Sequence, residues 1–368
     1  MYVSRDGKKL RKGFTTGTTA TAALKAFLEY HIYNSKPDFV EVSLPGGEKI
    51  GIPVKSYSSI DGQKYASVRK DAGDDADITN GCLISVTCDF ENTDGNSFVF
   101  DSEYGVGKIT KEGLGIKIGE PAINEVPREM MIGVLREYGI DSAKITVNVE
   151  NGEELAKSTL NGKLGIIGGI SIIGTSGIVE PMSEQAWKES LLPQMDILRA
   201  NGFDEIILIP GGVGEKYFIS HFGKKENVIL CGNHFGFAIK NAATKGFVKI
   251  HIAGAFQKII KLAGGNWNTD SRYSDSKAEI LAIHTIISHE AYDKKIVEEI
   301  FSAQPFSTVI QILQKNKYDV IKIFENIAET TVNKLSVYLS GVQQDISFRI
   351  TMFNKGDLLI NYDKTGEK

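Results

Sequence analysis

The sequence predicts two domains of different class: an α+β domain over residues 1–158 with a mainly antiparallel sheet, then an α/β domain over residues 159–368 with a parallel sheet. Three observations carry this. A chain of 368 residues is long enough for two cores. Its first half strings short strand-like runs together between two helical segments. Its second half alternates short, continuously apolar runs with helical ones, the pattern of a sheet covered on both faces.

Taken in order, residues 17–32, "GTTATAALKAFLEYHI", read as an amphipathic helix. The strand-like runs "FVEVSL", "EKIGIPV", "YASVRK", "LISVTCDF" and "SFVF" follow, with turns at "LPGGE" (44–48) and "NTDG" (92–95). A helix near 126–139 and a strand at 144–149 close the half. The polar stretch "VENGEELAKSTLNGK" places the boundary near 150–163. Beyond it "KLGII" reads as a strand, and 183–202 as a helix ending at Gly202. Then come the strands "DEIILIP" and "NVILCG", the helix "NHFGFAIKNAATKG", the strand "FVKIHIAG" and the helix "FQKIIKLAGG". Residues 275–340 read as several helices, and "ISFRITMFNKGDLLINYD" as a hairpin turning at "NKGD".

Composition narrows the class. The chain is 42% hydrophobic and 24% charged with a net charge of −4, which gives no general attraction to nucleic acid or to an acidic membrane. No apolar run approaches spanning length, and "MYVSRDGKKLRKG" lacks the apolar core of a secretory signal. The three cysteines, Cys82, Cys88 and Cys231, are too few and too odd for a disulfide framework and fit a reducing cytoplasm. The six histidines are scattered without metal-ligand spacing, so no protein-held metal is expected.

Glycine clusters follow the strands of the second half: "GGISIIGTSG" (168–177), "PGGVGEKY" (210–217), "CGNHFG" (231–236) and "GGNWNTDS" (264–271). Open backbone at a strand–helix turn lets a ligand approach N–H groups, and ligands of parallel sheets sit beyond the carboxyl ends of the strands. Neither GxGxxG nor the Walker A pattern is present, which leaves S-adenosylmethionine, sugar nucleotides or other small ligands. In "KGFTTGTTATAALKA", Thr15, Thr16, Thr18 and Thr19 crowd a helix start, where hydroxyls and free N–H groups suit an anion or simply cap the helix. "VRKDAGDDADITNG" holds Asp71, Asp74, Asp75 and Asp77 without completing a calcium loop. It reads as an acidic surface turn or as a source of a carboxylate that moves a proton. Asn233 suits a helix cap or a ligand contact, Trp187 the core of its helix, and Trp267 stacking on a flat ligand.

Six stretches in order are similar to one family: "GFTTGTTATAALKA", "KDAGDDADITNG", "GVGKITKEGLGIKIGEPAINEVPREMM", "LGIIGGISIIGTSGIVEPMSEQAWKESL", "GNHFGFAI" and "KLAGGNWNTDSRYSDSKAEIL". They resemble the cobalt-precorrin-5B C1-methyltransferase family of anaerobic cobalamin biosynthesis, from about residue 10 to residue 285. The resemblance implies a Rossmann-like C-terminal domain. It also implies S-adenosylmethionine-dependent methylation of carbon 1 of a cobalt-bearing tetrapyrrole, giving cobalt-precorrin-6A. Cobalt then belongs to the substrate alone. Ala255 and Asp270 stand where members of the family often carry His. A tetrapyrrole-binding protein or partner subunit without transferase activity is the alternative.

On this reading the donor lies on Gly168, Gly169, Gly174, Thr175, Ser176 and Gly177, with Glu180 and Asp270 as acceptors for its ribose hydroxyls. Lys12, Thr15, Thr16, Lys70, Lys258 and Arg272 meet the carboxylates of the macrocycle, and Lys261 belongs to the same set of cations. Asp71, Asp74 and Asp270 are the candidate catalytic carboxylates, for a proton lost or moved on the macrocycle. The expectation is a macrocycle lying between the domains, with hand-over from other enzymes of the pathway.

Overall fold

The fold is described from a computed structural model, in which residues 1–5, 7–60, 62–90, 97–289, 293–342 and 345–364 are described. The expected turn at "NTDG" lies outside them. The chain divides into two compact units, Met1–Glu184 and Gln185–Lys368.

In the first unit the long helix α1 (Thr16–Tyr33) precedes strands β1 (Ser56–Ile60), β2 (Gln63–Arg69), β3 (Leu83–Asp89) and β4 (Phe98–Asp101). Helix α2 (Glu125–Glu137) and strand β5 (Ala143–Val149) follow. The sheet order is β1-β2-β3-β5-β4, antiparallel except for the parallel β5–β4 pair. α1 is sealed because Ala20, Ala22, Ala23, Leu24 and Ala26 are all fully buried. These small side chains let the helix lie close on β2 and β3. Phe39–Ser43 and Lys49–Pro53, expected as members of the main sheet, form a hairpin of their own.

In the second unit the order is helix α3 (Leu191–Ala200), β6 (Glu205–Ile209), α4 (Gly212–Phe222), β7 (Val228–Leu230), α5 (Phe235–Thr244), β8 (Lys249–Ala255) and the short helix α6 (Phe256–Ile259). Helices α7 (Lys277–His289), α8 (Lys294–Ser302), α9 (Val309–Lys315) and α10 (Val320–Tyr338) come next, then strands β9 (Ser347–Asn354) and β10 (Asp357–Lys364). The sheet order is β7-β6-β8-β9-β10. Its first four strands run parallel, and only β10 is antiparallel, returning through a turn in which Lys355 and Gly356 both have positive φ. The hairpin expected at the C-terminus is there, and its first strand extends the parallel sheet.

The helix expected over 183–202 is interrupted: Glu184–Glu189 is one helix and α3 begins at Leu191. Pro193 is the reason. It has no N–H for the Glu189 carbonyl, so it is accommodated only in the first turn of a new helix.

The expected boundary at 158 is corrected. Residues 159–184 belong to the first unit, because their two-residue strands pair there. Gly169–Ile170 runs parallel to Gly105–Val106, Ile166–Ile167 pairs with Lys108–Ile109, and Ile178–Val179 pairs with Gly13–Phe14. "KLGII" is therefore no strand of the parallel sheet. The described fold is mixed α and β, with one largely antiparallel sheet and one largely parallel sheet.

Candidate active site

The stretch Gly168–Gly177 does not sit at the carboxyl ends of the parallel strands, where the sequence reading put it. It wraps the start of α1. Thr15 caps that helix, accepting from Thr18 N at 3.2 Å. Thr16 Oγ1 accepts from Ile173 N at 2.9 Å and turns its proton toward the carbonyls of Ser171 (3.1 Å) and Ile173 (3.2 Å). Thr18 Oγ1 donates to the Gly177 carbonyl at 2.7 Å, and Gly17 N donates to Ile173 O at 3.0 Å. These hydroxyls and N–H groups are thus engaged by the chain itself, which accounts for the glycines. A Cβ on Gly174 would lie 2.2 Å from Thr15 Oγ1, and one on Gly169 would lie 2.3 Å from the Gly105 carbonyl. What approaches these glycines closely is the chain itself. Of the expected donor-binding residues, Thr175 and Ser176 are exposed and Gly168 faces open space.

The acidic turn is also built inward. Arg11 grips Asp71 with both guanidinium nitrogens, one of them at 2.8 Å, and this hydrogen-bonded pairing holds the Asp71 carboxyl below its ordinary range. Asp74 accepts from the Arg11 backbone N–H at 2.6 Å. Lys70 is 2% exposed and donates to Asp77 at 2.6 Å. Burial works against the Asp77 charge, but Lys70 and two bonds from Thr79 outweigh it and lower its pKa. Lys12 pairs with Glu180, as does Arg5. Of the expected site residues of this unit, Asp71, Asp74, Glu180, Lys12, Lys70, Thr15 and Thr16 are therefore all engaged by other groups of the same unit.

The second unit presents a different picture. At the carboxyl ends of its parallel strands lies a cavity of about 290 Å³, at the lower end of the range for small-ligand pockets. It is lined by Asn233, Gln257, Lys258, Lys261, Thr269 and Asp270, among others. From β6 the chain moves outward to β7, and from β8 it moves the other way to β9, so the order reverses between β6 and β8. Connections diverge at such a point, though the residues that line this cavity come after β7 and β8 and none comes from the turn after β6. Asn233 follows β7, while Gln257 and Lys258 open the helix after β8.

Lys258 Nζ donates to Asn233 Oδ1 at 2.7 Å, and Asn233 Nδ2 donates to Asp270 Oδ2 at 3.3 Å. Arg272 donates to Asp270 from its backbone at 2.9 Å and from its guanidinium at 2.9 Å. These Arg272 hydrogen bonds push the Asp270 carboxyl down to about 2. A carboxylate so held is an acceptor at every physiological pH and has no proton to give. So held, Asp270 can accept a proton or a ligand hydroxyl but cannot act as a general acid. Among the described residues Lys258 bonds directly to the neutral amide of Asn233, and its charge also acts on the Asp270 carboxylate across that amide.

Asn233 is not the cap of α5, a place taken by His234. Trp187 is 51% exposed rather than core, and the Trp267 ring lies on Tyr338 at 4.6 Å, these two lining a second cavity of about 480 Å³. The structure brings together Lys258 and Arg272, expected on the macrocycle's carboxylates, and Asp270, expected at the donor's ribose or in catalysis; the sequence reading missed Gln257, Thr269, Ser271 and Lys277 of the lining. For Thr269 and Ser271 the signal was the glycine-rich run 264–271 itself; Gln257 and Lys277 lie outside it.

Among the described residues no group of three or more His, Cys, Asp or Glu stands close enough to hold a metal. No described helix is long and apolar enough to cross a membrane.

Comparison with known proteins supplies the family. The CbiD family model matches residues 3–181. The cobalt-precorrin-5B C(1)-methyltransferase of Methanocaldococcus jannaschii is 38% identical over 359 residues, 96% of this chain and 97% of that protein. The protein of the same name from Thermoanaerobacter sp. strain X514 is 37% identical over 370 residues, 100% of this chain and 99% of that protein. A solved structure, the cobalamin biosynthesis protein (cbiD) from Archaeoglobus fulgidus, is 27% identical. It covers 75% of this chain and 87% of that one, with a TM-score of 0.40. Similarity at this level over almost the whole length of both chains means that the protein described here belongs to the CbiD family.

Proposed function

We propose that this protein is a C-methyltransferase that methylates carbon 1 of cobalt-precorrin-5B, giving cobalt-precorrin-6A in cobalamin biosynthesis, with S-adenosyl-L-methionine as donor. The observation that carries the reading is the near full-length similarity to proteins named for that reaction. The second unit is read as a Rossmann-like domain, supported by its parallel strands, whose order reverses between β6 and β8, and by a cavity at their carboxyl ends.

S-adenosylmethionine supplies an electrophilic methyl group on a sulfonium, and the macrocycle carbon supplies the electron pair. The residues around the cavity suit one end of such a donor. Asp270, permanently ionised, accepts from ribose hydroxyls. Lys258, bonded to a neutral amide and near Asp270, offers its charge to a carboxylate, and Asn233 fixes both side chains relative to each other. What the protein must add is orientation, worth up to roughly 7–11 kcal/mol in ideal systems. A stiff hydrogen-bonded array provides it better than a mobile one. The reaction runs in the cytoplasm, and the corrinoid arrives from other enzymes of the pathway.

The test is transfer of label. Purified protein, cobalt-precorrin-5B and methyl-labelled S-adenosylmethionine should yield a corrinoid heavier by one labelled methyl group. Absence of label, together with no thermal shift from S-adenosylhomocysteine at millimolar concentration, refutes the reading.

A further inference from the structure

Lys261 is 2% exposed, yet it lies within reach of a surface turn. Its ammonium donates to the carbonyl of Thr269 at 3.2 Å, to Ser271 Oγ at 3.0 Å and to the carbonyl of Ser274 at 2.9 Å, with Asp275 Oδ1 at 3.6 Å. An ammonium has three N–H bonds, and all three are used by this turn. None is left for a ligand, so Lys261 is not the anion-binding cation that the sequence suggested. Burial lowers its pKa, and the charge of Asp275 works against that loss. Burying a charge is costly, and a neutral side chain would fill the space more cheaply.

The turn explains the choice. Asp270 sits between two of the three anchor points, Thr269 and Ser271. A second tie, from Thr269 N to the carbonyl of Asn233 at 3.0 Å, joins the same turn to the loop after β7. Lys261 itself stands directly after α6, the helix that presents Lys258. One buried ammonium therefore fixes the turn bearing Asp270 relative to the helix bearing Lys258.

We propose that Lys261 is a positioning residue: by tying Thr269, Ser271 and Ser274 to the segment after β8, it holds Asp270 at the cavity and so sets the affinity for the methyl donor. The inference rests on the reading of this cavity as the donor's site, and the experiment separates the two.

Lys261→Met keeps the length and removes the donors, and Ser271→Ala removes one acceptor at an exposed position where folding is not at risk. Asp270→Asn tests the cavity itself. Each full-length protein is checked for cooperative thermal unfolding. It is then digested briefly with trypsin, with cleavage after Arg272 followed by mass spectrometry, and titrated with S-adenosylhomocysteine. Expected for Lys261→Met is cleavage after Arg272 and a Kd for S-adenosylhomocysteine each raised about tenfold, the scale of one lost charge-assisted hydrogen bond. Ser271→Ala should move both in the same direction by less, and it decides the matter if Lys261→Met does not fold. A lysine that only stabilises the fold would lower the melting temperature and leave both readouts in place.

Unchanged cleavage after Arg272 overturns the proposal. So does faster cleavage with unchanged affinity, provided that Asp270→Asn weakens binding. If neither substitution alters affinity while Lys261→Met is cleaved faster, the anchor stands and the assignment of the cavity to the donor falls.

Discussion

At the scale of single residues, chemistry follows from which charges the chain spends on itself. Asp71 and Asp77 are paired with Arg11 and Lys70, and Asp270 is paired with Arg272 and Asn233 but also lines the cavity of the second unit. Since the Asp270 pKa lies at about 2, its carboxylate stays charged down to about pH 3, and it contributes no acidic limb to a pH profile. Binding of S-adenosylhomocysteine should accordingly be flat from pH 5 to pH 8, and Asp270→Asn should weaken it about tenfold at every pH in that range. An acid-dependent loss in the wild type that Asp270→Asn abolishes would refute this. His251 illustrates the opposite case. Buried at 3% exposure, its ring is held to Thr351 Oγ1 at 2.7 Å, and burial pushes its pKa down to about 3. The unfolded chain takes up a proton near pH 6.5 that the folded ring refuses, so stability falls as the pH drops from about 6.5 toward 3. The urea midpoint should decline over that window. It should decline less in His251→Gln, which keeps a donor for Thr351, though not vanish, because burial also lowers the pKa of His284. The sequence exposed these residues as types but not their partners. Arg11 and Asp71 are 60 positions apart, and nothing local distinguishes a paired carboxylate from a working one.

At the scale of elements, local pattern served well where an element is long and periodic. The run of small and apolar residues behind Thr15 made α1 legible, its cap included, because N-capping is a contact within four residues. The remaining hydroxyls were not legible, since Thr16 and Thr18 bond to carbonyls more than 150 positions away. They read as an anion site because an engaged hydroxyl and a waiting one look alike in sequence. Two substitutions test the clamp. Thr16→Val, nearly isosteric, leaves Ile173 N–H without its acceptor and should cost roughly 1–3 kcal/mol in urea unfolding. Gly174→Ala places a methyl group inside the Thr15 side chain at a φ of +141°, and it should cost more than Thr16→Val. If Gly174→Ala were neutral, the stretch would not be packed as described.

At the scale of the whole molecule, the parallel sheet was legible because its strands are continuous apolar runs with helices between them. The end of the first unit was not, because it is made by strands of two residues. Periodicity needs at least four residues to register, and Gly105–Val106, Gly169–Ile170 and Ile178–Val179 offer two each. Misplacing that end also moved the glycine-rich stretch to the wrong sheet. A chain ending at residue 158 lacks the partners of Gly105–Val106, Lys108–Ile109 and Gly13–Phe14. It also lacks Ile170 and Ile172, both buried in the core that α1 covers, and it strips Thr16 and Thr18 of their acceptors. A fragment of residues 1–184 should therefore be soluble and unfold cooperatively in urea, whereas residues 1–158 should aggregate or show no cooperative transition. Equal cooperativity of the two fragments would mean that residues 159–184 are an appendage rather than part of the first core.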